Sequence, residues 1–538
     1  MLRRYGIILW ILASGLWGTA AQEKDSTDAP IEVLHADRMI LKKEYPDLKL
    51  LEGHVQLRHK DALLSCDKAL LDTKHNFAEA IGHVELNQGD TLRLYAGVVR
   101  YDGTRDFALA MDDVRLYDPT MELQTDTLFY DKRQGTAFYR SGGVVRDSVN
   151  ELRSQVGKYY VKENRYEFIR QVKLTNPDYT ILSAHLDYNT QTRTARFYGP
   201  TRIMNDRSSI YAEHGQYNMR DSTAWFSGHA FVRNQNTWTA ADSIYSDRQR
   251  DFYSATGHVR IKDSLNKVLI LSGYAEWWQD KDSVMLTRDP VVIHYDRDTF
   301  YLAAERILSV RHDSLHFLWA YPRVAFYQKE FSGRADSLYQ SSVTRRIEMY
   351  RRPVLWNNDS QIAGDTIFVV NDSTGKRIDS LLIPSGVFII QREPAGFNQI
   401  KGKRLKGKFR DGRLRHVDIT GNTETVYYLR DDKQQLTGID RSVCSEINMD
   451  LDSTGQAVRI YLRTKPQGTT YPPDQMPEQL KKLNGFDWRG DERITGPDDL
   501  LKGRKPDFMP PPMKPIAEPL DEEEKIPFRL PASFRGKF

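Results

Sequence analysis

Only two cysteines, Cys66 and Cys444, occur in 538 residues. One widely separated pair is no disulfide framework, and both are expected to behave as small buried residues. Long apolar runs are also missing after the N-terminus, so nothing there approaches a membrane-spanning helix. Charge of one sign is missing too: the net charge is +4, and without Arg3 and Arg4 it is about +2 (4 − 2). That balance gives no footing for nucleic acid as a partner. The chain has no Gly-x-Ser-x-Gly elbow, no His-Glu-x-x-His and no phosphate-binding loop, and its carboxylates are scattered through turns. The expectation is therefore a protein that is not an enzyme and needs no cofactor. Helical periodicity is not sustained anywhere in the first 340 residues.

Strand pattern is what remains. The N-terminus reads as a targeting segment, residues 1–21, with a basic start at Arg3 and Arg4, an apolar stretch from Ile7 to Trp17 and small residues Thr19-Ala20-Ala21 before Gln22. A retained N-terminal anchor is the alternative. Beyond it one unit recurs. Its first strand begins as in Gly82-His83-Val84, and the valine-like position returns at Val55, Val84, Val114, Val144, Val172, Thr201, Ala230, Val259 and Val291, spaced 28 to 32 residues apart. The second strand follows a small residue and a polar one, as in Cys66-Asp67, Thr125-Asp126, Ala184-His185, Ala212-Glu213 and Ala241-Asp242. Alternation with period two then assigns faces.

One face collects Val55, Leu57, Val84, Leu86, Leu92, Leu94, Ala96, Val114, Leu116, Leu123, Val172, Leu174, Leu182, Ile210, Val259, Ile261, Leu271 and Leu302. The other collects Glu85, Arg93, Arg115, Gln124, Lys173 and Arg260. An aliphatic face of this kind is either a filled core between two sheets or the lining of a groove open to hydrocarbon. The recurring small residue beside Leu, Val and Ile leaves room and offers no directional polar contact, which suits flexible acyl chains. Four turn histidines, His54, His83, His229 and His258, recur in register. The copies between them carry Asp113, Gly143, Gln171 and Pro200, and no acidic partner is evident at a fixed offset. Turn chemistry is thus expected rather than a metal ladder.

After Tyr339 the rhythm loosens into a divergent β region over residues 341–470. It contains a basic stretch from Lys401 to Arg415, expected to be a solvated strand face. Residues 471–538 are proline-rich, with Pro510-Pro511-Pro512, and composition predicts a largely disordered tail. The expected organisation is a targeting segment 1–21, a β-repeat domain 22–340, the divergent region 341–470 and the tail.

The G-x-V start and the A-D-x-Φ-x-Y second strand, repeated in register, resemble the OstA/LptA organic-solvent-tolerance family. The resemblance covers Ile31 to Ile367, and a weaker likeness to a longer OstA-like subfamily extends to about Lys502 through Arg352–Ile367 and Phe397-Asn398-Gln399-Ile400-Lys401-Gly402. It implies an all-β fold, a curved antiparallel β-jelly roll or β-taco. The apolar interior of that fold would hold the acyl chains of lipopolysaccharide, with no catalytic residues and no metal. It further implies a periplasmic location, association with the outer membrane, and edge-to-edge stacking on other OstA-type components or on a second copy. A scaffolding β-repeat protein with a sealed core is the alternative. This chain departs from the short bridge proteins of the family in having many more repeats and an added C-terminal region.

Overall fold

In the computed structural model, residues 31–516 are described, apart from short stretches at 60–61, 90–91, 120, 297, 330, 358, 375–376, 411–412, 432 and 453–456. The targeting segment and residues 517–538 lie outside that range. Among the described residues the fold is almost wholly antiparallel β, with one short α-helix at Asp498–Leu501 and three single 3-10 turns. No described helix is long and apolar enough to cross a membrane. The chain divides into two compact units, Met1–Gln235 with Tyr245–Gln249 and Pro511–Phe538, and Asn236–Ile244 with Arg250–Pro510. The boundary thus falls near residue 240, whereas the expected boundary at 340 lies inside the second unit.

Each repeat contributes strands that bend at their middle. Phe77–Gln88 pairs with Leu92–Asp102 as Ile81↔Val98 and then Val84↔Ala96, skipping Gly82 and His83. Both skipped residues have positive φ, 80° at Gly82 and 42° at His83. Glycine takes that conformation without a Cβ penalty, which is why the repeat begins with it. The bend sends the two halves of every strand into different walls. Wall A gathers the halves after the glycine, such as Val84–Gln88, with the facing starts of the next strands, such as Leu92–Ala96. Wall B gathers halves such as Phe77–Ile81 and Val98–Asp102. Both walls continue by antiparallel pairing to Thr223–Asn234 in the first unit. This is the folded antiparallel sheet of a β-jelly roll.

The second unit repeats the plan with shorter strands. Val268–Trp278 pairs with two strands at once, Ser283–Thr287 in wall B and Val291–His294 in wall A. Alternate strands then extend one wall or the other, ending at Ala457–Arg463 and Gln467–Tyr471. Tight turns close the hairpins, held by Asx contacts. The Asp102 carboxylate accepts from the Thr104 and Arg105 backbone N–H groups at 3.1 and 3.0 Å, and Asp131 accepts from Gln134 at 2.9 Å.

Residues 472–510 do not hang free as their composition predicts. In the second unit they lie across the outer face of wall A. Met476 and Leu483 pack on Val426, Tyr428 and Ile439, Ile494 and Leu500 on Ala325, and Leu501 on Leu269, Leu271, Val291 and Ile293. Their polar backbone is met by wall side chains: Gln399 donates to the Lys481 carbonyl at 2.8 Å, and Gln361 to that of Asp487 at 2.8 Å. Proline favours this strap, since it holds φ extended and needs no N–H partner. In the first unit, Lys514 donates its backbone N–H to the Tyr211 hydroxyl at 2.9 Å and pairs with Glu213 at 2.8 Å.

Candidate functional site

The two walls of the first unit face one another. Across the space between them, the Tyr139 hydroxyl of wall B meets Ser154 Oγ of wall A at 2.7 Å, and the His59 and Tyr101 rings lie 6.0 Å apart. On wall A the residues turned inward form one cross-strand row. Leu57 pairs with Leu64, then Leu86, Leu94, Leu116, Leu123, Val145, Leu152, Leu174, Ile181, Ile203, Ile210 and Val232 follow in succession. No polar side chain interrupts this row. Next to the bends a second row, Val55, Val84, Val114 and Val172, is fully buried. Leu92 shares the inward face at the rim of the wall, opposite Gln88.

Wall B lines the other side differently. Its inward row runs Ala78, Tyr101, Ala108, Tyr130, Ala137, Tyr159, Tyr166, Tyr188, Ala195, Tyr217 and Ala224. Several of these tyrosines are the final residue of the A-D-x-Φ-x-Y signature, so the signature itself marked wall B. Assigning only the aliphatic column left that wall unread. Burial pushes the Tyr139 and Tyr188 hydroxyls up to about 12.

Most of the expected interior residues do face inward: in the first unit Val55, Leu57, Val84, Leu86, Leu92, Leu94, Ala96, Val114, Leu116, Leu123, Val172, Leu174 and Ile210, and in the second Val259, Ile261 and Leu302. Leu302 joins the row of Ile261, Ile270 and Val292. Two do not. Leu182 pairs with Lys173 and Arg202, on the outer face, while Ile181 and Ser183 point inward. Leu271 pairs with Arg260 and Val291, and is buried beneath the strap rather than between the walls. Both errors have one cause. The small position is Ser183 and Ser272, not Ala184 and Gly273, and a slip of one residue reverses the face.

That small column has a role beyond leaving room. Where it is serine or cysteine, the side chain donates to the carbonyl two residues on, across the bend. Ser154 donates to Val156 at 3.0 Å, Ser183 to His185 at 3.0 Å and Ser272 to Tyr274 at 2.8 Å. Both cysteines are free, buried and do the same, Cys66 to Lys68 at 3.1 Å and Cys444 to Glu446 at 3.2 Å. Burial raises the Cys66 thiol to about 11.

The turn histidines do have acidic partners, 17 residues back for His54 and 16 for the other three, which the reading from sequence missed. His54 meets Asp37 at 2.9 Å, His83 meets Asp67 at 2.8 Å, His229 meets Glu213 at 3.1 Å and His258 meets Asp242 at 2.9 Å. Each is a pair joining neighbouring strands at the bend. The basic stretch lies largely on strands: Lys408 pairs with Asp379 at 3.2 Å, Lys406 stands opposite Asp418, and Lys401 donates to the Asn484 carbonyl of the strap at 3.0 Å.

Residues 28–184, which hold the bends, the small column and most of the aliphatic row, match the family model described as OstA-like protein. Among solved structures, this chain is similar to LptH, described as the LptA homologous periplasmic component of the conserved lipopolysaccharide transport device from Pseudomonas aeruginosa. The match has 18% identity over 19% of this chain and 79% of that one, with a TM-score of 0.18. No curated protein matches.

Proposed function

We propose that this protein binds lipopolysaccharide in the groove of its first unit and shields the acyl chains on the way to the outer membrane, without catalysing a reaction. The observation that carries this reading is the unbroken aliphatic row of wall A, part of which is left half-exposed between the walls. Exposing a saturated chain to water costs about 0.8 kcal/mol per methylene, and a wall with no polar group interrupts that burial nowhere. The OstA-like match over residues 28–184 supports the same ligand class and a periplasmic setting.

Stacking on another jelly roll is part of this proposal. At the N-terminal edge, Glu32–His35 and Arg38–Lys42 pair, among the described residues, only with Tyr45–His59. Met39 and Leu41, opposite the inward Leu51 and Lys49, are 47% and 60% exposed. An open edge that also shows its inward apolar side chains fits β-augmentation by a second copy or by another OstA-type component.

The test is photo-crosslinking in cells with a photoreactive residue at Leu94. A lipopolysaccharide adduct is expected there and none at the outward Arg93. Depletion of the protein is expected to leave lipopolysaccharide at the inner membrane. A folded chain that gives no adduct at Leu94 leaves the sealed-core scaffold as the reading.

A further inference from the structure

The groove of the first unit is not uniform along its length. On wall A, Leu64, Leu86, Leu94 and Leu116 are half-buried, whereas from Leu123 through Leu152, Leu174 and Ile181 to Ile203 the row is buried, and Ile210 at its far end is half-buried again. Wall B changes in step. Tyr101 and Ala108 are half-buried and Tyr130 is 39% exposed, but Tyr188 is 1% exposed and Ala195 is buried. Both walls thus leave interior side chains partly exposed on Leu92–Asp102 and Phe107–Tyr117, and both bury them on Thr180–Asn189 and Thr194–Met204.

Between the two stretches the regular bend breaks down. The continuous strands give way to separate pieces, Thr136–Tyr139 and Val156–Tyr160 in wall B, Gly143–Arg146 and Glu151–Ser154 in wall A. Tyr139 fills the space here. Its ring occupies the positions that a Cβ on Gly143 of wall A or Gly157 of wall B would take, and its hydroxyl is tied to Ser154. Tyr159 and Tyr166 stack beside it with ring centroids 4.4 Å apart. Past this point the space among Phe197, Ile203, Ile210 and Phe226 is too small to admit even a water molecule, so no acyl chain fits there.

The turns that close wall B along the open stretch each carry an exposed cation, Lys74, Arg105 and Arg133, of which Arg105 pairs with Asp102 and Arg133 with Asp106, and Lys162 follows at the break. An apolar slot with cations along one lip fits a lipid whose saturated chains hang from an anionic headgroup.

Resting on the lipid reading above, we propose that acyl chains of an anionic lipid occupy only the stretch between Ala62–Asp72 and Glu122–Asp131, and that Tyr139 with Tyr159 and Tyr166 is a plug that ends it. Five strands at about 4.8 Å spacing make this compartment about 20 Å long. The closed stretch beyond the plug is core. Lipid leaves the compartment sideways through the open lip or over the N-terminal edge, not along the whole stack.

The full-length chain, with a photoreactive residue at Leu94 or, separately, at Ile210, is exposed to purified rough lipopolysaccharide. An adduct at Leu94 and none at Ile210 is expected. Equal adducts at both positions overturn the plug and leave the lipid reading standing. No adduct at either overturns the lipid reading itself. Should the Ile210 chain fail to fold, Leu116→Trp decides: filling the compartment is expected to weaken binding at least tenfold in native mass spectrometry. Undiminished binding by a folded Leu116→Trp chain overturns the proposal. Zwitterionic phosphatidylcholine is the second probe, expected to bind at least tenfold more weakly than lipopolysaccharide; equal binding overturns the anionic part.

Discussion

Asp67 and His83 stand sixteen residues apart in the chain and 2.8 Å apart in space, across the bend of adjacent strands. Between them sits Gly82, and a Cβ there would run into the Asp67 carboxylate. Asp37 with Gly53-His54 and Asp242 with Gly257-His258 repeat the arrangement. The acidic residue of one strand and the Gly-His of the next are therefore two halves of one corner.

Gly82→Ala tests that corner. The substitution forces a side chain into positive φ and against Asp67, which costs about 1–3 kcal/mol. A lower urea midpoint is expected, partly restored in the Asp67→Ala background because the clash is then relieved while the φ penalty stays.

The His54–Asp37 pair makes a pH-dependent contribution whose sign follows from its shifts. The hydrogen bond to Asp37 raises His54 above its ordinary 6.5, so that part is present below 6.5 and is lost as pH rises through the folded value. The bond to His54 lowers Asp37 below 3.8, so its part is present above 3.8 and is lost as pH falls through the folded value. NMR titration of the His54 ring is expected to show a raised midpoint that returns to the ordinary range in Asp37→Asn. Because both groups are exposed, the melting temperature should barely move.

Cys66 is expected to resist alkylation. Burial holds its thiol at about 11, so iodoacetamide at pH 8 should modify it in urea and hardly at all in the folded chain. Keeping this thiol neutral favours the folded state below the ordinary 9.0, and the contribution is lost as pH climbs from there through 11. Cys66→Ser should be close to neutral because serine can cap the Lys68 carbonyl, whereas Cys66→Val leaves that cap unmade at a cost of about 1 kcal/mol.

Ile181→Asp and Leu182→Asp separate the two faces. Ile181 is fully buried between the walls, and an unpaired carboxylate there should unfold the unit. Leu182→Asp, beside Lys173 and Arg202 on the outer face, is expected to change stability by less than about 0.5 kcal/mol. Circular dichroism on both variants checks it.

Leu501→Ala probes the strap. Leu501 is buried against Leu269, Leu271, Val291 and Ile293, so its truncation should cost about 2–5 kcal/mol. A chain ending at Tyr471 is expected to expose these residues and bind a hydrophobic dye. Unchanged dye binding would mean the strap does not cover them in solution.

Alternation made much of this legible. Val84 and Leu86 against Glu85 state the period and the face, and Gly82 states where the strand bends. The faces of Leu182 and Leu271 were misread because serine, not alanine or glycine, fills the small position there, and its capping bond shows only once the bend exists. Wall B was hidden because its Ala and Tyr positions do not look like one surface until pairing sets Tyr101 beside Ala108. The strap was hidden for a different reason. Its prolines suit both a free chain and an extended one, and only the apolar outer face beneath Leu501 decides between them.

That strap also works as a tape measure. It runs across the strands of the second unit from Tyr428 to Leu269, so its length and the number of strands must agree. Inserting one more hairpin would lengthen the wall by about 10 Å and leave the strap short by about three extended residues. Strands in this unit can be gained or lost only if residues 472–510 change length with them, so repeat number is recorded twice in the same chain.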